Sequence, residues 1–137
     1  MRLWHGTHRS CEIGANGNTT LCHHSSCGIC NILRNSFDVA KAKQTNMFGK
    51  GIYFSQASHK ASQYSNKVKG RKAMLLCYVT AGNPLYLDSE ARYLGPPGPP
   101  GHDSVYATPG PNLKYHEIVS YRNASMRPGY LVTHVSH

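Results

Sequence analysis

Acidic residues are scarce in this chain: six Asp and Glu stand against fifteen Lys and Arg, a formal net charge of +9. With so few carboxylates, a Glu in a strand-like apolar setting has few rivals for an active-site role. The excess cation favours polyanionic ligands such as dinucleotides, nucleic acid or acidic protein tails. The cations are spread along the chain, however, and the one cluster, Lys67 to Lys72, reads as a loop tip, so a solvated basic surface is the competing reading. Long apolar runs are also missing, and none approaches the roughly 20 residues that span a bilayer, which excludes a transmembrane helix. The start, Met1-Arg2-Leu3-Trp4-His5, lacks the apolar stretch of a secretory signal and so bounds localisation only weakly. Five cysteines are an odd number, which excludes complete internal pairing as disulfides. What remains, 137 residues with 39% apolar content, suits one soluble domain spanning the chain.

Leu3-Trp4-His5-Gly6 reads as a strand end running into a turn, and residues 8 to 27 show no periodicity, so that stretch needs a staple to be ordered. Ile29, Ile32, Leu33 and Phe37 recur at helical spacing and predict a helix over 28–37. Ile52-Tyr53-Phe54 is β-prone, and a helix follows over 58–64 with Ser58 as its cap. Ala73 to Ala81 is apolar at nearly every position and predicts a central strand covered on both faces, with Cys77 a buried, inert thiol within it. Residues 95–101, Gly-Pro-Pro-Gly-Pro-Pro-Gly, are too short for a triple helix and read as a stiff loop. Residues 104–107, 117–121 and 129–134 complete the strands, so the class is α+β with a β-rich core and two short helices.

Four cysteines, Cys11, Cys22, Cys27 and Cys30, crowd into the unstructured stretch, the last two as CxxC. Four thiolates neutralise and saturate Zn²⁺, so a structural zinc stapling residues 8–30 is the leading reading. His24 could replace Cys11 as a ligand. The rival is a pair of disulfides in a secreted protein, consistent with the sequons Asn18-Thr19-Thr20 and Asn123-Ala124-Ser125; zinc would favour an intracellular location.

Taken singly, His5, Tyr53 and Glu117 are weak signals. Their strings are stronger: Leu3-Trp4-His5-Gly6-Thr7, residues 47–54 (Met-Phe-Gly-Lys-Gly-Ile-Tyr-Phe) and residues 113–121 (Leu-Lys-Tyr-His-Glu-Ile-Val-Ser-Tyr). In that order they resemble the catalytic domain of the poly(ADP-ribose) polymerase family, with residues 101–105 and 128–132 nearest its tankyrase-like branch. The cysteines precede the Tyr53 strand, as in fungal catalytic domains of that family, rather than following it.

The resemblance implies an ADP-ribosyltransferase fold, a split antiparallel β-core, and an NAD-dependent enzyme that cleaves the nicotinamide–ribose bond and transfers ADP-ribose. It implies His5, Tyr53 and Glu117 as the catalytic set, and His5, Gly6, Thr7, Tyr53, Ser62 and Tyr64 around NAD. His5 would meet the ribose hydroxyls, the Gly6 backbone the carboxamide, and Tyr53 and Tyr64 the two faces of the ring. Glu117 would stabilise the oxocarbenium-like state. One departure stands out. The family's carboxamide-binding Ser falls on Ala61, so either Ser62 substitutes through a shifted helix or one hydrogen bond is missing. The family fold also begins with further strands and a helix, whereas this chain starts almost on the His-Gly strand, as a trimmed or minimal core would. Water as acceptor, giving an NAD glycohydrolase, and a binding module for ADP-ribose or nucleic acid without turnover are the alternatives. As acceptor, a protein is favoured over a nucleic acid.

Overall fold

The computed structural model describes residues 1–43, 47–91, 98–111 and 113–135. Among the described residues, seven strands form one sheet: β1 (Arg2–Gly6), β2 (Ile52–Ser55), β3 (Arg71–Val79), β4 (Pro84–Leu87), β5 (Ser104–Ala107), β6 (Glu117–Ser120) and β7 (Met126–Val135). Their order is β4-β5-β6-β2-β1-β3-β7. Two α-helices accompany them among these residues, α1 (Gly28–Asn35) and α2 (Ser58–Ser62), with short 3-10 turns at Val39–Lys41 and Asn123–Ser125. The class is α+β.

Several elements depart from the sequence expectation. β4 carries no strong strand signal and opens on Pro84, a residue tolerated there because the strand is an edge. It pairs parallel to β5, whereas the other pairs of the sheet are antiparallel. Both helices are shorter than periodicity suggested. α1 stops before Ser36, which takes φ +63°, and Phe37 then drops into the core. α2 ends at Ser62, so Tyr64 sits in the turn beyond it, and its cap is Ala57, which makes no side-chain cap bond, instead of Ser58. β3 lies beside the edge strand β7 and is not central. Its back face is buried, but on the front Leu76 and Tyr78 stay half-exposed. Cys77 is fully buried, and burial pushes its thiol up to about 12. Part of the Pro/Gly run, residues 95–97, lies outside the described residues.

The core has two parts. Behind the sheet, Leu3, Phe54, Leu75, Val79 and Ile118 pack against Ile29, Cys30 and Phe37 from α1 and its exit. Around the β5–β6 end, Val105, Val119 and Tyr121 pack on Phe48, whose carbonyl accepts a 2.6 Å bond from the Tyr121 hydroxyl.

The irregular segment after β1 is tied down by a buried arginine. Arg9 is 1% exposed and donates to the carbonyls of Ile13 at 2.8 Å and Arg71 at 2.9 Å. Its backbone exchanges two hydrogen bonds with the Asn66 side chain, at 2.7 and 2.8 Å. Truncating this side chain strands two carbonyls and removes two charge-assisted bonds, which typically contribute about 1.5–3 kcal/mol each. Arg9→Ala should therefore lower unfolding free energy by about 3 kcal/mol, read by urea titration. A loss below about 0.5 kcal/mol would mean that the segment is anchored elsewhere.

Candidate active site

The cleft starts where the sheet splits. β1 and β2 share a single register pair, Trp4 with Ser55, and then diverge. Beyond that pair the backbone ladder is replaced by a side chain: His5 Nδ1 lies 2.8 Å from the Tyr53 carbonyl. A carbonyl only accepts, so Nδ1 carries the proton and Nε2 of the neutral ring keeps its lone pair. Burial favours the neutral form and holds the His5 pKa below its ordinary value, against the opposing pull of that hydrogen bond, which favours the protonated ring. Phe37 and Phe54 clamp the ring edge-on and tilted, at 5.2 and 5.4 Å.

Across the split, β2 is entered through a tight turn at Gly49, whose φ is +78°. The Tyr53 hydroxyl accepts from the Phe48 N–H and donates to the Gly49 carbonyl, both at 2.9 Å. The hydroxyl is therefore spent on shaping the turn, and the ring is what lines the cleft. Burial, first among the causes, pushes its pKa up to about 12.

Glu117 begins β6, opposite Ser55 of β2, and is 6% exposed. Burial raises its pKa above the ordinary carboxylate range, and nearby Lys60 opposes that only in part. A carboxylate desolvated beside a cavity is a strong electrostatic partner for developing positive charge.

A cavity of about 390 Å³ collects His5, Gly6, Thr7, Tyr53, Tyr64 and Glu117 along its walls. A recess of about 10 Å³ continues from it past Trp4, Lys60 and Ala61. Sequence strings more than a hundred residues apart thus meet in one place. Ser62 does not join them. It lies outside both cavities, its hydroxyl 3.5 Å from His134 Nε2, and Ala61 is the residue brought to the recess. Gly6 has a packing reason as well: a Cβ there would collide with the Ala61 carbonyl, so only glycine lets α2 close on β1.

Sequence reasoning missed three cations. Lys41 and Lys43 line the larger cavity, and Lys60 lines the recess with its ammonium 5.4 Å from the Tyr64 ring centre. Each is one lysine among many in the sequence, and only the fold brings them to the rim of the cleft.

The chain matches the model of the poly(ADP-ribose) polymerase catalytic domain over residues 1–109. It belongs to that family. The family implies ADP-ribosyl transfer and NAD as substrate. The match ends before Glu117, so what bears on that residue is its burial and its position in this cavity.

The four cysteines also converge. Sγ of Cys11 is 3.6 Å from that of Cys30 and 4.0 Å from that of Cys27, and the ligand atoms of all four lie within 4.8 Å of one another. None is in a disulfide. Tetrahedral thiolates at the usual zinc–sulfur distance sit about 3.8 Å apart, so the donor set fits a single metal ion. His24 is exposed and supplies only its backbone carbonyl to the Cys27 N–H, at 3.1 Å. Burial pushes the Cys11 and Cys30 thiols up. Against the same burial, backbone hydrogen bonds from Ser10 and Cys30 draw Cys27 down to about 7. The start of α1, which carries Cys30 and follows Cys27, adjoins the cleft: Ile29 N–H donates to the His8 carbonyl at 3.2 Å, and a Cβ on Gly28 would lie 2.5 Å from Oγ1 of Thr7, a residue of the cavity wall.

Proposed function

We propose that this chain binds NAD in the 390 Å³ cavity, breaks its nicotinamide–ribose bond and passes ADP-ribose to an acceptor. The buried Glu117 carboxylate on a wall shared with His5, Gly6, Tyr53 and Tyr64 is the observation that carries this reading. Nicotinamide leaves with the electron pair of the glycosidic bond. Glu117 stabilises the positive charge that spreads over the ribose and orients the acceptor, whose oxygen forms the new bond to the anomeric carbon while its proton passes to solvent. His5 Nε2 accepts from a ribose hydroxyl. The Gly6 backbone meets the carboxamide, and Thr7 lies beside it. The nicotinamide ring stacks between Tyr53 and Tyr64, with Tyr64, at 58% exposure, turning outward to admit it, because the recess as it stands holds about one water. With Ala61 at the recess, one carboxamide hydrogen bond is missing. The four thiolates hold a zinc ion whose contribution is structural.

Lys41 and Lys43 supply the cations for the diphosphate in this reading. Both are exposed, so each contributes modestly and in a salt-dependent way. In Lys41→Gln/Lys43→Gln, KM for NAD should rise about threefold to tenfold with kcat nearly kept. Inhibition by benzamide, which needs only the ring slot, should be unchanged. A fall in kcat with KM unaltered would place the diphosphate elsewhere.

The deciding assay feeds the chain NAD labelled in the adenine half. It reads nicotinamide release, then label on protein, DNA or RNA, and the length of what is attached. Release without attached label would make it a glycohydrolase, and no release would leave a binding module.

A further inference from the structure

Among the described residues, the front of the sheet beyond α2 is open. α2 packs over β1, β2 and β3 at the Gly6 and Met74 end, with Ser62 reaching His134 and Lys72. Past it, neighbouring strands place Trp4 beside Leu76 and Leu76 beside Tyr130, and in the next row Arg2 beside Tyr78 and Tyr78 beside Arg127. All of these side chains are exposed or half-exposed. Two arginines and three aromatic rings thus share one face.

The backbone is shaped for flat rings. The β3–β7 register shifts at Leu76/Cys77 and skips Gly129. A Cβ on Gly129 would lie 2.7 Å from the Tyr78 ring, so that ring rests across bare backbone. The Arg127 guanidinium lies 4.9 Å from the centre of the Tyr78 ring, and the Tyr78 and Tyr130 rings are 6.5 Å apart, tilted by 51°. Among the described residues no carboxylate pairs with Arg2 or Arg127; Glu12 pairs with Lys69 and Asp103 with Arg122. On a chain of net charge +9, this surface offers π-faces and unneutralised cations together.

We propose that this face binds single-stranded nucleic acid, with bases stacking on Tyr130, Tyr78 and Trp4 and phosphates meeting Arg2 and Arg127. Stacking tolerates any base, and the cations track the backbone. A duplex hides its base faces and gains only the electrostatic part. Strand spacing of about 4.8 Å sets the span from Trp4 across β3 to Tyr130 at about 10 Å, the reach of two or three nucleotides. The row continues through Ser55 to Glu117, and Trp4 walls the recess that holds Glu117. A strand lying on this face would therefore pass the cleft. The proposal does not rest on the NAD reading.

The test is fluorescence anisotropy with a labelled oligothymidine of about twelve nucleotides, within the site sizes of single-strand binders, in the absence of NAD. Single strand should bind better than a duplex of equal length. Tyr78→Ala/Tyr130→Ala should weaken binding about tenfold or more, Tyr78→Phe/Tyr130→Phe should not, and Lys67→Gln/Lys69→Gln should leave the preference for single strand intact. Arg2→Gln/Arg127→Gln should lower the slope of log affinity against log salt by about one to two. Equal binding of duplex and single strand, or indifference to loss of both rings, would overturn the proposal. So would an oligoglutamate that binds as tightly, which would assign the face to acidic peptides. A dimer in sedimentation that Tyr130→Ala dissolves, without oligonucleotide binding, would make it a self-interface. Should the double alanine variant misfold by circular dichroism, the arginine variant alone decides, since an unchanged salt slope would refute the phosphate contacts.

Discussion

Glu117→Gln should lower turnover of NAD by about 10²-fold or more while leaving NAD binding largely intact. The amide keeps the shape of the buried side chain and its neighbours on β2, but offers no net charge to the oxocarbenium-like state. At 1.36 kcal/mol per decade the loss is about 2.7 kcal/mol of transition-state stabilisation. Nicotinamide release in single turnover, with affinity measured separately, checks it; wild-type release by the Gln variant would remove Glu117 from the chemistry.

The same residue makes two linked predictions about pH. Because burial raises the folded pKa of Glu117 above its unfolded value, the ionised form is disfavoured by the fold. Activity should then fall with acid along a limb placed above the ordinary carboxylate range, of about 4.3. Stability runs the other way. The cost of the buried charge is complete above the folded pKa and disappears as pH drops through the window between the folded and unfolded values. Glu117→Gln should thus melt higher than wild type at neutral pH, and the difference should vanish below the ordinary carboxylate pKa. A Gln variant that melts lower at neutral pH would show that the carboxylate is satisfied in the fold.

The second large effect concerns the four cysteines. Metal binding to a thiolate cluster is folding free energy, on the order of 10 kcal/mol in small zinc domains, and residues 8–30 have little core of their own beyond Ile13, Cys27, Ile29 and Cys30. Chain purified without chelators should carry about one zinc per molecule. Chelation, or Cys22→Ser, should release it and melt the segment, visible as rapid amide exchange over 8–30. The damage should spread to NAD turnover, because the α1 entry at Gly28 packs on Thr7 and the His8 carbonyl, next to the cleft wall. Absence of zinc together with disulfides in a thiol titration would favour the secreted alternative. Release of zinc without loss of turnover would show the two sites to be uncoupled.

Much of the local structure was legible because short-range chemistry decides it. The apolar run of β3 and the β-prone triplet of β2 form strands as read, and the amphipathic spacing from Gly28 forms a helix, although β3 is neither central nor covered on both faces and the helix stops at Asn35. The residues proposed around NAD were legible only as strings resembling a family, since a lone His, Tyr or Glu carries almost no information. The weak points were positions where tertiary contacts override pattern. β4 exists because β5 offers it an edge, and its four residues carry no periodicity strong enough to announce it. Ser58 lost the cap of α2 because the chain enters the helix one residue earlier, with the Ser55 hydroxyl already holding the Ala57 N–H at 3.0 Å.

By itself, then, the sequence determined the α+β class and a donor set of four thiols suited to one metal, because composition, periodicity and spacing are local properties, while the family was legible as a resemblance of ordered motif strings. Only the tertiary structure decided that Ala61 and not Ser62 reaches the recess, and that Lys41 and Lys43 border the cavity. It likewise buried Arg9 against two carbonyls and left Arg2, Trp4, Tyr78, Arg127 and Tyr130 on one open face. Each of those outcomes depends on which strands become neighbours and where a helix stops covering them, and long-range pairing writes no periodic signal into the chain.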